Sequence, residues 1–167
     1  MKIRKLTSES YARVSALLRL TFPDSNYEVQ LVEELHKNRK AMHEWICIHR
    51  NNTVAYIAFT NAFVRAKVCG MHLSIFAVKP EYQNQGIGSE LLRFAMRQDA
   101  IRESAIFVSG DPAFFQKFGF EHCIMPVCPF DKTNARFLCI RNNTTLQYTV
   151  GYEPEFKTVT TLLHPSE

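Results

Sequence analysis

The sequence predicts a single domain of mixed α/β structure, with a central sheet covered by helices. Apolar runs rich in β-branched and aromatic residues alternate with segments whose apolar residues recur at helical spacing. The chain has 167 residues, of which 46% are hydrophobic and 22% charged. That composition supports one hydrophobic core, so we expect one domain over residues 1–167. Its predicted elements follow the order β-α-α-β-β-β-α-β-α-β.

The N-terminal part predicts one strand and two helices. Lys2 to Leu6 form the strand, and Thr7 or Ser8 is expected to cap the first helix. That helix carries apolar residues at helical spacing, namely Tyr11, Val14, Leu17 and Leu18. The second helix runs roughly from Asn26 to Asn38, and its acidic residues, Glu28 among them, are expected to face largely outward.

The middle of the chain predicts a hairpin, a further strand and a helix. The run "EWICIHRNNTVAYIAFTNAFV" contains two apolar segments around an Asn-Asn turn, and "MHLSIFAVKP" is the next strand. Pro80 ends that strand because it has no backbone N–H to donate. A helix then begins at Gly86 or Gly88 and presents an apolar face of Ile87, Leu91, Phe94 and Ala95.

The C-terminal part predicts two strands separated by a turn and a short helix. "SAIFVS" is a short buried strand, and a Gly-Asp-Pro turn follows it. "AFFQKF" is the short helix, and "RFLCIR" is the final strand.

Composition and patterning exclude several classes of protein. The net charge is +4, but the basic residues are scattered, so we expect anionic small molecules as partners rather than nucleic acid. No apolar run approaches the roughly 18 residues of a membrane span, and the first residues lack the apolar region of a signal peptide. We therefore expect a cytoplasmic protein with no membrane partner.

Cysteine and histidine spacing argues against disulfides and metal. The five cysteines are an odd number without a C-x-x-C pair, so most are expected to be reduced core residues. The histidines occur singly, without the helical i,i+4 spacing of a metal-binding pair. We expect no metal site.

One stretch interrupts regular structure in a way that suits an anion. After Pro80 a turn leads through Gly86 and Gly88 directly into a helix. Glycines let backbone N–H groups approach a ligand closely, and the first N–H groups of a helix have no partner within it. Such a turn is a binding site for phosphate. It is not a P-loop, and Leu91 stands where a dinucleotide fingerprint requires glycine.

The same residues resemble those of a known superfamily. The segment "QNQGIG", Gln83 to Gly88, resembles the acetyl-CoA signature Q/R-x-x-G-x-G/A of GNAT N-acetyltransferases. "VSGDPAFFQKFGF" (108–120) is similar to the segment "GDPxYYxRFGF" of one branch of small predicted GNAT proteins, and "FLCI" and "VGYEPEF" resemble that branch's last strands. The resemblance implies a mostly antiparallel sheet with one parallel, splayed strand pair, flanked by helices.

The resemblance also implies how acetyl-CoA binds. The pantetheine arm enters between strands matching Ser74–Val78 and Ala105–Ser109 and pairs with backbone groups of Phe76 and Val78, while the pyrophosphate lies on the N–H groups of Gln85–Ser89. The implied cofactor-binding residues are Phe76, Ala77, Val78, Gln83, Asn84, Gln85, Gly86, Ile87, Gly88 and Ser89.

The implied reaction is direct acetyl transfer to the amine of a small molecule or a protein. A base must remove the amine proton, and the candidates are Glu28, His72 or a chain of waters. Phe115 occupies the position at which the family pattern has the tyrosine that donates a proton to the leaving thiolate. No cysteine falls in these motifs, so an acetyl-cysteine intermediate is not expected.

The sequence leaves rival functions and the assembly open. Because Phe115 departs from the family pattern, a second function stays open, that of a catalytically weak acyl-CoA-binding module that senses or scaffolds. An unrelated α/β nucleotide-binding protein is the third possibility. A homodimer is possible.

Overall fold

A computed structural model describes residues 1–163 of the chain. Its strands are β1 (Lys2–Lys5), β2 (Met42–His49), β3 (Asn52–Val64), β4 (Lys67–Val78), β5 (Ile106–Ser109), β6 (Glu121–His122), β7 (Pro126–Val127), β8 (Phe137–Ile140) and β9 (Tyr148–Thr149). Its helices are α1 (Tyr11–Thr21), α2 (Tyr27–Lys37), α3 (Ile87–Met96), α4 (Pro112–Phe115) and α5 (Glu155–Leu163), and short 3-10 turns lie at Ser8–Ser10, Pro80–Tyr82 and Gln116–Phe118.

Seven strands form the central sheet in the order β1-β2-β3-β4-β5-β8-β6. Every neighbouring pair is antiparallel except β4 and β5, which run parallel. β7 and β9 form a separate parallel pair. The predicted α/β class, with a mostly antiparallel sheet and one parallel pair, is therefore confirmed.

Two hydrophobic layers sandwich the sheet. On one face, α3 packs Leu91 and Leu92 against strand residues such as Phe59. On the other face, α1, α2 and α5 cover residues that include Ile75 and Ala77 of β4. Since side chains alternate between the faces of a strand, the long apolar runs of β3 and β4 supply both layers.

The predicted cap of the first helix is wrong. A 3-10 turn occupies Ser8–Ser10, so α1 begins at Tyr11, and the Thr7 side chain makes no capping hydrogen bond. Tyr11, at the start of the apolar face, is 37% exposed, and its ring stacks on that of His36 with centroids 3.9 Å apart.

The interpretation of "VGYEPEF" as a strand is also wrong. β9 ends at Thr149, Gly151 makes a single bridge to Phe63, and α5 begins at Glu155. Pro154 favours a helix start since its ring fixes φ near the helical value. Phe156 and Val159 then fall on one buried face at helical spacing, which outweighs the β propensity of the following threonines.

Candidate active site

The parallel strands β4 and β5 separate after two residue pairs. Met71 pairs with Ile106 and His72 with Phe107, and within residues 1–163 no further pair joins the two strands. β5 continues beside β8, whereas β4 runs on beside β3 as far as Val78. Beyond His72 the sheet is therefore open along one edge of β4.

A bulge in β4 sets the direction of the backbone groups at this opening. Ile75 pairs with Ala58 and Leu73 with Phe59, so Ser74 is an extra residue. Its hydroxyl lies 2.5 Å from that of Thr60 across the strands.

Beyond the bulge, the Lys79 N–H donates to the Val54 carbonyl of β3 at 2.8 Å. Backbone groups alternate sides along a strand, so those of Phe76 and Val78 point into the opening. The Val78 carbonyl accordingly accepts a hydrogen bond from Gln83 Nε2 at 2.9 Å.

The turn between β4 and α3 aims helix N–H groups at the same region. Asn84 and Gly86 have positive φ angles of 61° and 83°, which reverse the chain direction within a few residues. The first bond inside α3 runs from the Glu90 N–H to the Gly86 carbonyl. The N–H groups of residues 87–89 therefore remain free for an anion at the helix N-terminus.

A cleft of about 530 Å³ lies where these features meet. Seven of the expected cofactor-binding residues line it, namely Phe76, Val78, Gln83, Asn84, Gly86, Gly88 and Ser89. Ala77 and Ile87 are buried in the core instead, and Gln85 is exposed and bonds to the Glu81 carbonyl. The cleft therefore joins the open edge of β4 to the start of α3.

Gly88 allows the close packing of α3 on β4. A Cβ atom at this position would lie 3.2 Å from Phe76 Cζ and 3.3 Å from Val78 Cγ2. A side chain at residue 88 would push these two residues into the cleft.

Phe115 lies between the separated strands. A Cβ atom on Gly110, just after β5, would meet Phe115 Cε2 at 2.6 Å, and the Phe115 ring centroid is 6.4 Å from that of Phe76 on β4. Phe115 is 6% exposed and packs edge-on against Phe120. Its neighbour Phe114, not Phe115, lines the cleft.

Glu28 faces inward, contrary to the expected outward orientation. It lies three and four residues before Leu31 and Val32, and therefore on the buried face of α2 that packs towards Ile75 of β4. Its Oε2 atom is buried and has no hydrogen-bond partner among the described residues. A carboxylate oxygen thus lies unpaired in the helical layer that covers Ile75 of β4.

His72 is the last β4 residue paired with β5, and it is buried. Its ring stacks on Tyr152, with centroids 3.7 Å apart, and contacts Phe156. Burial lowers its pKa from 6.5 to about 3, so the ring is neutral at physiological pH. Its Nδ1 atom has no hydrogen-bond partner in the described part of the chain.

The cysteines lie away from the cleft. Cys69, Cys123, Cys128 and Cys139 share a small cluster with Phe107 and Phe137, and all five cysteines are free thiols. The Cys123 thiol donates to Cys139, and this hydrogen bond together with burial raises the pKa of Cys123, which keeps it protonated.

Two absences hold for the described residues. Within residues 1–163 no three His, Cys, Asp or Glu side chains are grouped to bind a metal ion. None of the helices described over that range has the length and apolarity to cross a membrane.

Comparison with known proteins places this chain in a family. The model of the Acetyltransferase (GNAT) domain matches residues 40–122, from β2 through β6. The N-acetyltransferase YhbS of Escherichia coli K12, itself uncharacterized, is 27% identical over 113 residues, which cover 65% of this chain and 66% of YhbS. This chain belongs to the GNAT superfamily of acetyltransferases. The sequence match spans just under two thirds of the length of YhbS.

Solved GNAT structures share the fold over nearly the whole chain. The crystal structure of YhbS from Escherichia coli in complex with CoA superposes with a TM-score of 0.84 at 23% identity, over 93% of this chain and 91% of that one. A GNAT acetyltransferase from Brucella melitensis in complex with acetyl-CoA gives 0.77 at 22% identity, over 93% and 97%. An aminoglycoside 6'-N-acetyltransferase from Enterococcus faecium gives 0.59 at 16%, over 83% and 93%.

Sequence reasoning missed several residues of this cleft. Thr21 and Phe22 line it because the end of α1 reaches the signature turn, and no local pattern signals that contact. Tyr82 and Lys117 also line it. Lys117 stands where the pattern "GDPxYYxRFGF" has arginine, and this positive charge was a usable signal for an anion.

Proposed function

We propose that this protein transfers the acetyl group of acetyl-CoA to a primary amine by direct attack within a ternary complex. The observation that carries the proposal is the open edge of β4, whose backbone groups at Phe76 and Val78 face a cleft that ends at the N-terminus of α3. An extended chain of amides fits a strand edge, and a pyrophosphate fits a helix N-terminus. In acetyl-CoA the pantetheine arm leads from the thioester to the pyrophosphate, so the two parts match the strand edge and the helix N-terminus in turn.

In the proposed complex the pantetheine arm pairs with β4 along the opening. Gln83 holds the Val78 carbonyl and thereby stiffens the turn, while the N–H groups of residues 87–89 bind the pyrophosphate. Lys117, on the rim of the same cleft, adds a positive charge for the phosphates.

The reaction replaces a C–S bond with a C–N bond. The neutral amine nitrogen attacks the thioester carbonyl, an N–C bond forms, the C–S bond breaks, and one N–H bond breaks as its proton passes to a base. The Phe76 N–H faces the opening and would stabilise the negative charge that develops on the carbonyl oxygen.

The proton of the attacking amine passes to Glu28 in our proposal. Its buried Oε2 is unpaired within the described residues and lies on the face of α2 that packs towards Ile75 of β4. His72 is the weaker candidate because a ring with a pKa of about 3 holds a proton poorly near neutral pH. The CoA sulfur leaves as a thiolate. Because a thiol has a pKa of only about 8.5, the thiolate can leave without a phenol at position 115 to protonate it.

A second function is favoured by one residue. Phe115 offers no hydroxyl between the separated strands, and this suits a module that binds acyl-CoA and senses or scaffolds without turnover. We place either function in the cytoplasm and keep a homodimer as an option.

Binding is tested by thermal denaturation. Acetyl-CoA and CoA should raise the melting temperature, while ATP and NAD should not. Gly88→Glu should abolish the shift but leave the protein folded, because a carboxylate there both crowds the cleft and repels pyrophosphate. An undiminished shift in this variant would contradict the cofactor position.

Catalysis is tested by thiol release with a panel of amines. Turnover that depends on the amine supports the transferase, whereas binding without turnover supports the acyl-CoA module. Direct transfer also predicts an unmodified protein mass after incubation with acetyl-CoA alone. Stoichiometric acetylation of one cysteine would overturn direct attack.

A further inference from the structure

Three buried polar atoms lack partners on one side of the sheet. Glu28 Oε2, His72 Nδ1 and the Tyr152 hydroxyl make no hydrogen bond to any described residue. Tyr152 stacks on His72, and both Tyr152 and the inner face of α2 pack in the layer formed by α1, α2 and α5. An unpaired buried polar group costs about 1–3 kcal/mol, so each calls for a partner that binds there.

An aromatic cleft of about 510 Å³ opens beside two of these side chains, because Tyr152 lines it and Phe156, also in its wall, contacts His72. Phe130, Tyr152 and Phe156 wall it, with ring centroids 5.8 Å apart for Phe130 and Tyr152 and 5.5 Å for Tyr152 and Phe156. Phe130, at the outer end, is 58% exposed. At the inner end, Phe156 contacts His72, beside which β4 and β5 separate. The cleft therefore approaches the strand opening from the side opposite α3.

Glu28 differs from Glu153 and Glu155 in its ion pairing. Glu153 and Glu155 are both buried and share the ammonium of Lys40, at 3.1 and 3.3 Å. Lys157 lies on the exposed rim of the cleft. Glu28 forms no ion pair with any residue of the described range 1–163, so a ligand ammonium would supply its counter-charge.

We infer that the acceptor is a primary monoamine with an aromatic or similarly apolar body, which fills the cleft of Phe130, Tyr152 and Phe156 and presents its ammonium to Glu28. This inference rests on the proposed acetyl transfer. Aromatic walls attract both an apolar body and a neighbouring cation. The hydroxyls of an aminosugar would lose water there and find few partners, which costs affinity.

The test compares 2-phenylethylamine, glucosamine and spermidine as acceptors for the full-length protein. With acetyl-CoA at saturation, kcat/KM from thiol release should be at least roughly tenfold higher for 2-phenylethylamine, the range expected for filling an apolar pocket. Phe130→Ser should raise the KM for 2-phenylethylamine roughly tenfold and leave the KM for acetyl-CoA unchanged. Because Phe130 is exposed, this change should not unfold the protein.

Ile124→Ser is the matched control. Ile124 is 85% exposed, lies outside the cleft and loses a similar amount of apolar surface, so both KM values should stay at wild-type level. A preference for glucosamine or spermidine, or an unchanged KM in Phe130→Ser, would overturn the acceptor class while acetyl transfer stands. Absence of amine-dependent thiol release with all three amines would overturn the proposed transferase and this inference together.

Discussion

The imidazole of His72 stacks face to face on the phenol of Tyr152, with centroids 3.7 Å apart and ring planes within 3° of parallel. His72 is the last residue of β4 that pairs with β5, and Tyr152 immediately precedes the segment that leads into α5. The stack therefore links the point where the strands separate to the aromatic cleft. It also explains why His72 is buried and neutral.

Removal of the Tyr152 hydroxyl should stabilise the fold and at the same time weaken amine binding. Tyr152→Phe deletes a buried hydroxyl without a partner in the described chain, so unfolding free energy should rise by about 1 kcal/mol. The KM for the amine should rise because the hydroxyl can no longer bind it. Tyr148→Phe is the control: its hydroxyl donates to Cys69 Sγ at 3.7 Å, so this change should not stabilise the fold. Urea denaturation and steady-state kinetics measure both effects.

The buried His72 should make the fold sensitive to acid. Because its folded pKa is about 3 and its unfolded pKa 6.5, only the unfolded chain takes up a proton as the pH falls below 6.5. Stability should then fall by up to ~1.4 kcal/mol per pH unit, or ~2 kcal/mol by about pH 5. His72→Phe, which keeps a ring on Tyr152, should lose ~2 kcal/mol less over that interval.

Urea midpoints at about pH 5 and pH 7.5 measure this difference. His122→Phe, at an exposed position in β6, controls for the loss of a histidine as such. Equal acid sensitivity of wild type and His72→Phe would show that His72 is not the buried neutral group described above.

The two glycines of the signature turn should respond differently to alanine. Gly86 has φ of 83° and open space around a Cβ atom, so Gly86→Ala should cost about 1 kcal/mol of stability through backbone strain. Gly88 lies in α3, where alanine suits the helix, but its Cβ would press on Phe76 and Val78. Gly88→Ala should therefore weaken acetyl-CoA binding roughly tenfold with little loss of stability, as calorimetric titration and thermal denaturation would show. Equal acetyl-CoA affinity in wild type and Gly88→Ala would show that binding does not depend on the missing side chain at residue 88.

Glu28→Gln should impair turnover and leave cofactor binding intact. Loss of a general base typically costs about 10²–10⁴-fold in rate, and the amide of glutamine cannot take up the amine proton. We expect kcat/KM for the amine to fall within that range while acetyl-CoA affinity is unchanged. Glu33→Gln, at a 54% exposed side chain of the same helix, should behave as wild type. A wild-type rate in Glu28→Gln would assign proton removal to another group.

Phe115→Tyr should speed the reaction. Phe115 lies between the end of β5 and Phe76 of β4, and our proposal places the added hydroxyl beside the thioester in this opening. We expect a rise in kcat towards the lower end of the 10²–10⁴-fold typical of general acids, with little change in acetyl-CoA affinity. Phe120→Tyr is the control, since Phe120 is 1% exposed in the core and should lose about 1–3 kcal/mol without kinetic gain. A destabilised Phe115→Tyr with no faster turnover would place residue 115 in the core alone.

Local patterns predicted the parts of this protein that local physics controls. Period-two and helical spacing located β1 to β5, β8 and α1 to α4, and the glycines marked the turn before α3, but the two-residue strand β6 at the sheet edge was not predicted. The C-terminal helix α5 was not predicted because "TVTTLL" has β propensity. Only the packing of Phe156 and Val159 against the sheet selects the helix. The weakest local signals were thus overridden by burial.

The sequence by itself determined the mixed α/β class, the end of β4 at Pro80 and the signature turn that resembles GNAT proteins, since these depend on spacing and on backbone chemistry. Only the tertiary structure decided that Glu28 faces inward, that His72 is neutral and that Tyr152 lies beside it. These properties come from contacts between residues far apart in the chain: α2 on the sheet, and the segment before α5 on β4. Orientation and solvent exclusion exist only once such layers have packed, and they set the charge of a buried ring and the pairing of a carboxylate.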